Sequence, residues 1–420
     1  MFGLVDGNNF YASVERIFNP ALRGEPVCIL SNNDGCAIAR SQECKDFGVK
    51  MGQPIHEVPP HIRRQLKVLS ANFGLYGDIS GRIVSILRDL FPQVEVYSID
   101  ESFVSFDGIP ASDHERVASE ARARILQWTG IPCCVGIGPT KTLAKLGNKL
   151  AKKTSHGVMT ALPGDPVLTA FPVEELWGVG RKWAARLGAD GILTAADLAA
   201  SDSDTLRSRY GVVLARTQRE LQGIVCADLQ EVEPDRQQIV VSRSFGKEAI
   251  ELDDVQQAVA TFAIRAAEKL RARSLQAGGV WVWVNTNPFK PDAKQYHPSK
   301  AFNLIAPSSD TREILMVAQG LVRAMYRTGY RYKKAGVGLL DLTPGDKVQG
   351  DLFAGVDPRA AKMMEVMDAA NRKFGRNAIG FGAAAWRPKG KTLAKPVWAM
   401  NQNALSPAYT SKWSDLLRVR

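Results

Sequence analysis

The chain has 420 residues, 45% of them hydrophobic, with 54 Lys and Arg against 43 Asp and Glu and a formal charge of +11. That length and apolar share build several cores and exclude a disordered chain. The positive excess favours a polyanionic partner, and because no apolar run approaches the roughly 20 residues of a membrane-spanning helix, nucleic acid fits better than a bilayer.

The N-terminus has no basic region before Asp6, so no signal peptide is expected. The 6 cysteines contain no C-x-x-C pair and read as reduced thiols rather than a disulfide framework.

The first predicted strand, Phe2-Gly3-Leu4-Val5, ends on Asp6. Gly7-Asn8-Asn9 signals a helix start, and Phe10, Val14, Ile17 and Phe18 recur at helical spacing as its buried face. Tyr11 falls off that stripe, one turn from Asp6, where it either packs at the boundary or faces whatever the acid binds. Pro26-Val27-Cys28-Ile29-Leu30 is another apolar strand, followed by the polar loop Ser31-Asn32-Asn33-Asp34-Gly35 and a helix-like segment with Arg40, Lys45 and Lys50. The polar, basic stretch 31–68 reads as an insertion on a sheet, suited either to phosphates or to plain solvent. Residues 78–91 form an amphipathic helix that ends before Pro92.

The strand-like runs Val94-Glu95-Val96 and Phe103-Val104-Ser105-Phe106 bracket Tyr97-Ser98-Ile99-Asp100-Glu101-Ser102. Asp100 and Glu101 therefore sit at or near a hairpin turn, where adjacent carboxylates repel unless a cation lies between them. With Asp6 they can form an all-oxygen Mg²⁺ site; the competing reading is two solvated turn acids and a helix-capping Asp. A helix from about Ser112 to Trp128 follows.

Cys133-Cys134-Val135-Gly136-Ile137-Gly138 is a buried strand running into a helix at Pro139-Thr140-Lys141-Thr142-Leu143. It is not a P-loop, because Thr140 rather than Gly precedes Lys141. Lys141, Lys145, Lys149 and Lys152 run down one side of that helix, as a solvated face or, the favoured reading, a polyphosphate grip. A single mixed sheet backed by helices is expected through residue 170. Gly178-Val179-Gly180-Arg181-Lys182 followed by Gly191-Ile192 and Thr194-Ala195-Ala196-Asp197-Leu198 is a helix-hairpin-helix pattern, whose backbone amides grip a phosphate without reading sequence.

Beyond a polar linker near Glu231–Gln238 the pattern runs strand, helix, strand, strand, helix, strand from Ile239 to Leu342. Arg243, Lys247, Arg331, Lys333 and Lys334, with Tyr330 and Tyr332, make it basic and aromatic, as a surface for a nucleic-acid backbone requires. From about 344 a tail begins; Gln349-Gly350-Asp351-Leu352-Phe353 sets two apolar residues in a polar loop, as a peptide anchored in a partner's pocket does. The end, 405–420, is expected to be mobile unless a partner holds it.

Asp6, Asn8, Phe10-Tyr11-Ala12-Ser13-Val14-Glu15, Tyr97-Ser98-Ile99-Asp100-Glu101-Ser102 and Gly138-Pro139-Thr140-Lys141-Thr142-Leu143-Ala144-Lys145 resemble the signature segments of Y-family DNA polymerases. Ser31-Asn32-Asn33-Asp34-Gly35-Cys36 and Ser414-Asp415-Leu416-Leu417-Arg418-Val419 are similar to the UmuC-type catalytic subunits of bacterial DNA polymerase V. The resemblance implies an α+β multidomain right hand: a ferredoxin-like palm (1–30 and 69–170), small fingers (31–68), a helix-hairpin-helix thumb (171–235), a βαββαβ little finger (236–343) and a C-terminal tail (344–420).

It further implies that Asp6 and Asp100 bridge two Mg²⁺, with Glu101 and the carbonyl of Gly7 each completing one ion. Tyr11 would reject a 2′-hydroxyl, and Phe10, Arg40, Lys45 and Lys145 would line the dNTP site, with Gln42 standing where relatives often carry Tyr. Gly178, Gly180, Arg181, Lys182, Arg243 and Lys247 would hold DNA, and Gln349, Leu352 and Phe353 a sliding clamp. The implied activity is error-prone translesion synthesis in the SOS response on primer-template DNA, with a UmuD-type dimer and RecA as partners, in the cytoplasm at the nucleoid. The rival readings are a non-catalytic DNA-binding repair subunit and a palm-like nucleotidyl cyclase, the latter disfavoured by the helix-hairpin-helix.

Overall fold

The computed structural model describes residues 1–230, 236–345, 358–375, 377–384 and 396–416. Two compact units emerge, Met1–Pro234 with Asn403–Arg420, and Asp235–Gln402.

In the first unit the strands are β1 (Phe2–Gly7), β2 (Val27–Leu30), β3 (Ala37–Arg40), β4 (Lys67–Ser70), β5 (Val94–Val96), β6 (Glu101–Ser105), β7 (Cys133–Gly138) and β8 (Val158–Thr160). Five of them form one sheet in the order β5-β6-β1-β7-β8, with β1 antiparallel to both β6 and β7. Helices Phe10–Phe18, Phe73–Leu90 and His114–Thr129 cover it, closing a core in which Val5, Val104, Val135 and Ile137 meet Val14, Ile79, Leu87 and Ile125.

The expected single mixed sheet divides in two. β2 does not join β1; it pairs parallel with β4 and antiparallel with β3 in a separate three-stranded sheet. All four of its side chains are buried. Val27 and Ile29 serve the main core, while Cys28 and Leu30 close a second one with Ala37, Cys44, Val49, Val58 and Leu66. An apolar strand buried on both faces carries no sign of which sheet it belongs to.

The helix Lys141–Ala151 lies against β7 at backbone distance. A Cβ on Gly136 would fall 1.9 Å from the Asn148 nitrogen, so only glycine admits this approach. Asn148 secures it by donating from Nδ2 to the carbonyls of Leu4 and Cys134 at 3.1 and 2.8 Å.

The second unit follows the predicted order: β9 (Ile239–Ala249), helix Leu252–Arg271, β10 (Leu275–Thr286), β11 (Ser299–Ser308), helix Thr311–Met325 and β12 (Tyr332–Pro344). The sheet runs β11-β10-β12-β9, all antiparallel, and both helices pack on one face through Val259, Phe262, Ala266 and Val322. On the other face Trp281 and Trp283 stack at 4.3 Å over Gly338 and Gly336; a Cβ on Gly336 would stand 2.0 Å from the Trp283 ring. Among the described residues no helix is long and apolar enough to cross a membrane.

The tail departs from expectation. Residues 403–416 fold back onto the first unit, where Leu405 bridges Ser70 in parallel at the edge of β4.

Candidate active site

β1 delivers Asp6 and β6 delivers Glu101, and the two are direct partners across the antiparallel ladder. The bend at Asp100 is fixed to the end of β1, since the Gly7 amide donates to the Asp100 carbonyl at 2.9 Å. Ser98 shapes the bend: its hydroxyl donates to Asp100 Oδ1 at 2.6 Å and accepts the Glu101 amide at 3.0 Å. The three acids read from the sequence are thus brought together by backbone pairing. Glu101 opens β6, so the bend runs from Ser98 to Asp100 and Asp100 is its one acid.

Two of the acids are engaged by lysines of the following helix. Lys152 Nζ lies 2.7 Å from Asp6 Oδ2, and Lys145 Nζ 3.1 Å from Glu101 Oε2. Lys145 also sits over the rings of Tyr97, at 4.2 Å, and Trp177, at 5.1 Å. Lys149 meets Glu175 at 2.9 Å, and buried Lys141 meets Glu95 at 2.6 Å and the Asp228 carbonyl at 2.8 Å. Every member of the lysine stripe thus holds an acid in this structure. Lys141 in particular is a structural tie, its side chain only 5% exposed.

Among the described residues no three His, Cys, Asp or Glu side chains already close a metal cage. The electrostatics nevertheless fit a further cation. The Asp6 carboxyl stands raised to about 6: burial pushes it up, Lys152 pulls it back, and Glu101 and Asp100 push it up again. Two lysines against three carboxylates leave the cluster under-neutralised, and the donors, all hard oxygens, suit Mg²⁺. Lys152 is 40% exposed on the last turn of its helix and can swing into solvent without breaking packing.

A cationic wall stands beside the acids. Burial lowers Lys45 below the usual ammonium range, and the nearby charges of Arg40 and Lys152 add to the effect. Lys45 Nζ donates to Asn9 Oδ1 at 2.6 Å. Arg40 donates from Nη1 to the Val49 carbonyl at 2.6 Å, while its Nε is buried with no hydrogen-bond partner. Gln42 instead turns to Asp46, at 2.8 Å. Phe10 is buried, its ring lying against Gly7.

Tyr11 stacks on Tyr76 at 4.3 Å and 16°, with Phe73 edge-on at 6.0 Å. Burial, and then the charge of Asp100, raise its phenol above the ordinary range, which sets the ring beside the acids. Tyr76 and its partner Glu15 escaped the sequence reading: both sit inside apolar helical stripes, and no periodicity marks a buried tyrosine–carboxylate pair. Trp281 and Trp283 lie on a predicted strand; the signal that they form a platform is the Gly-x-Gly of Gly336 and Gly338 opposite.

At the predicted helix-hairpin-helix, Gly178 has φ 86° and Gly191 φ 80°. Gly180 precedes the helix Arg181–Ala189 with no side-chain cap, leaving its first amides open beside exposed Arg181 and Lys182. The element before Gly178 is a 3₁₀ turn, Val173–Glu175, rather than a helix. In the second unit Lys247 is exposed. Arg243 shares the parity of Val241 and Phe245 and lines a cavity with Arg265 and Trp398, on the helix side rather than the open face of its sheet. Gln349, Leu352 and Phe353 lie outside the described residues.

Comparison with known proteins gives a consistent result. The impB/mucB/samB family matches residues 5–149, its C-terminal domain residues 236–352, and a domain of unknown function residues 361–419. The protein UmuC of Salmonella typhimurium is 42% identical over 100% of both chains, and the protein ImpB of that organism is 40% identical over 100% of both. A DNA polymerase IV of Bacillus velezensis is 27% identical over 92% of this chain and 94% of its own. In fold, a Y-family DNA polymerase chimera covers 81% of this chain and 99% of its own with a TM-score of 0.65 at 21% identity.

Proposed function

The chain belongs to the impB/mucB/samB family, and from that membership and the acid cluster we propose that it is a UmuC-type, Y-family DNA polymerase performing error-prone translesion synthesis in the SOS response. The observation that carries the proposal is the pairing of Asp6 with Glu101 across β1 and β6, with Asp100 tied by its backbone to Gly7.

Asp6 and Asp100 would hold two Mg²⁺ between them, Glu101 and the Gly7 carbonyl each completing one. Such ions, when bound, make a primer 3′-hydroxyl a better nucleophile and offset the charge that grows on the transferring phosphate. Around them the chain's own groups divide the remaining work. Arg40 and Lys45 take the triphosphate of an incoming dNTP, and Lys145 exchanges Glu101 for phosphate. Tyr11 packs against the sugar and excludes a 2′-hydroxyl. The amides that follow Gly178 and Gly180, with Arg181 and Lys182, hold the duplex by its phosphates, so any sequence is accepted.

In this reading the palm is 1–30 and 69–170, the fingers 31–68, the thumb 171–235 and the little finger 236–343, where Lys247 and the Trp281–Trp283 face meet DNA. A sliding clamp would take the peptide at Gln349, Leu352 and Phe353. A UmuD-type dimer and RecA are the further partners, and the setting is the cytoplasmic nucleoid.

Asp100→Asn tests the core of the proposal. It should abolish Mg²⁺-dependent primer extension while leaving primer-template affinity unchanged. Extension that survives the substitution would refute the metal assignment. An unaltered chain that binds DNA but never extends a primer would instead favour the non-catalytic subunit.

A further inference from the structure

The folded-back tail is built into the first unit rather than resting on it. Residues 403–408 alternate, with Ala404, Ser406 and Ala408 turned inward and Asn403, Leu405 and Pro407 exposed. They cover the edge of β4 as an added strand: the Ser70 amide donates to the Ala404 carbonyl at 2.9 Å, and the Ala404 amide to Ser70 Oγ at 3.1 Å. Asp34 accepts the Asn403 amide at 2.8 Å and the Ser70 hydroxyl at 2.5 Å. Asn72 donates from Nδ2 to Ser406 Oγ at 3.0 Å and to the carbonyls of Ser406 and Pro407. Tyr409 stacks on Phe18 at 4.8 Å and 6°.

One contact of this strap leads inward. The Ser406 hydroxyl donates to Glu15 Oε1 at 3.0 Å, and the same oxygen accepts the Tyr76 hydroxyl at 2.7 Å. Glu15 is 1% exposed and Tyr76 fully buried, so neither finds water as a substitute partner. Tyr76 is the ring on which Tyr11 stacks.

We propose that the C-terminal strap is a positioning element for nucleotide-sugar selection: Ser406 fixes Glu15, Glu15 fixes Tyr76, and Tyr76 holds Tyr11 against the sugar. The inference rests on the polymerase reading with Tyr11 as its gate. It gives a task to part of a segment whose family model is a domain of unknown function. Ser406 touches neither substrate nor metal in this scheme and acts only through the ring stack.

The test is single-nucleotide insertion by the full chain on primer-template DNA, comparing kcat/KM for each dNTP with that for the matching ribonucleotide. Ser406→Ala removes the hydroxyl's bond to Glu15 together with the one it accepts from Asn72; the link to Glu15 is worth about 0.5–1.5 kcal/mol, so discrimination should fall by roughly 2- to 13-fold. The fall should come from tighter ribonucleotide use, with kcat for dNTP unchanged, and Ser406→Thr, which restores the hydroxyl, should recover the original ratio. A chain ending at Gln402 should lose at least as much discrimination as Ser406→Ala. Tyr11→Ala is the control for the underlying reading. If Tyr11→Ala admits ribonucleotides while Ser406→Ala and the shortened chain select as before, the strap has no such role. If Tyr11→Ala itself leaves selection unchanged, the gate assignment fails and the strap's role falls with it.

Discussion

Lys152 Nζ stands 2.7 Å from Asp6 Oδ2, so a cation already occupies the flank of the acid on which the proposed metal site depends. Asp6 is mostly buried and remains raised to about 6 despite that partner. Removing the lysine therefore strands a desolvated carboxylate that any divalent ion would relieve. Lys152→Met should lower the melting temperature in metal-free buffer, and added Mg²⁺ should close the gap with the unaltered chain, because an ion that binds only the folded state stabilises it. Lys152 itself is 40% exposed and well solvated, so its hold on Asp6 is worth about 1 kcal/mol at most, and the Mg²⁺ concentration for half-maximal extension should fall by no more than about fivefold. A rise in that concentration would show Lys152 acting on the substrate side instead.

Tyr11 meets Tyr76 face to face at 4.3 Å, a contact that needs the ring and not the hydroxyl. Tyr11→Phe should therefore select sugars as the original does. Tyr11→Ala opens the wall and should raise ribonucleotide insertion relative to dNTP by about 10²-fold, the scale on which shape alone rejects an added hydroxyl. Paired insertion assays on one template measure both.

These residues differ in how far the sequence announced them. Asp6, Asp100 and Glu101 could be read because each stands at the end of an apolar strand, where a carboxylate has no packing reason to be. The lysine stripe was equally visible, but its helical period shows only that four ammonium groups share a side. That side faces Glu95, Glu101, Glu175 and Asp6, acids brought by other segments. β2 was recognised as a strand yet not assigned to its own sheet, since a fully apolar strand fits any neighbour. For the end, 405–420, the expectation of mobility rests only on its being a chain terminus. What holds it is hydrogen bonding to Asp34, Ser70 and Asn72, the last 334 positions from Ser406. Polar contacts at such range leave no local pattern.

The contact of β7 with the helix Lys141–Ala151 positions Lys145 and Lys152 over the acids, and it depends on Gly136. An alanine methyl there would overlap the Asn148 nitrogen and the Ala144 carbonyl, both backbone atoms that cannot turn aside. Gly136→Ala should destabilise the first unit by about 3 kcal/mol, the upper range for overpacking. Thermal and denaturant unfolding would register it. Gly77→Ala, where a Cβ meets no neighbouring atom, should leave stability unchanged or improve it slightly, as an exchange that relieves helix entropy does.

Glu15 makes the buried link between strap and gate sensitive to pH. Burial raises its carboxyl above the ordinary range, and the hydrogen bonds from Tyr76 and Ser406 offset this only in part. A carboxyl raised on folding binds its proton more tightly in the folded chain than in the unfolded one. Its contribution is therefore complete below the ordinary carboxylate pKa and is lost as pH rises through the higher folded value. Glu15→Gln removes the ionisation while keeping an Oε1 acceptor for the two hydroxyls. The melting temperature of Glu15→Gln minus that of the original chain should be smallest in acid and grow as pH climbs through and beyond the carboxylate range, with sugar selection retained. A difference that shrinks with rising pH would mean that the folded chain favours the charged form of Glu15, and the burial argument for this side chain would be wrong.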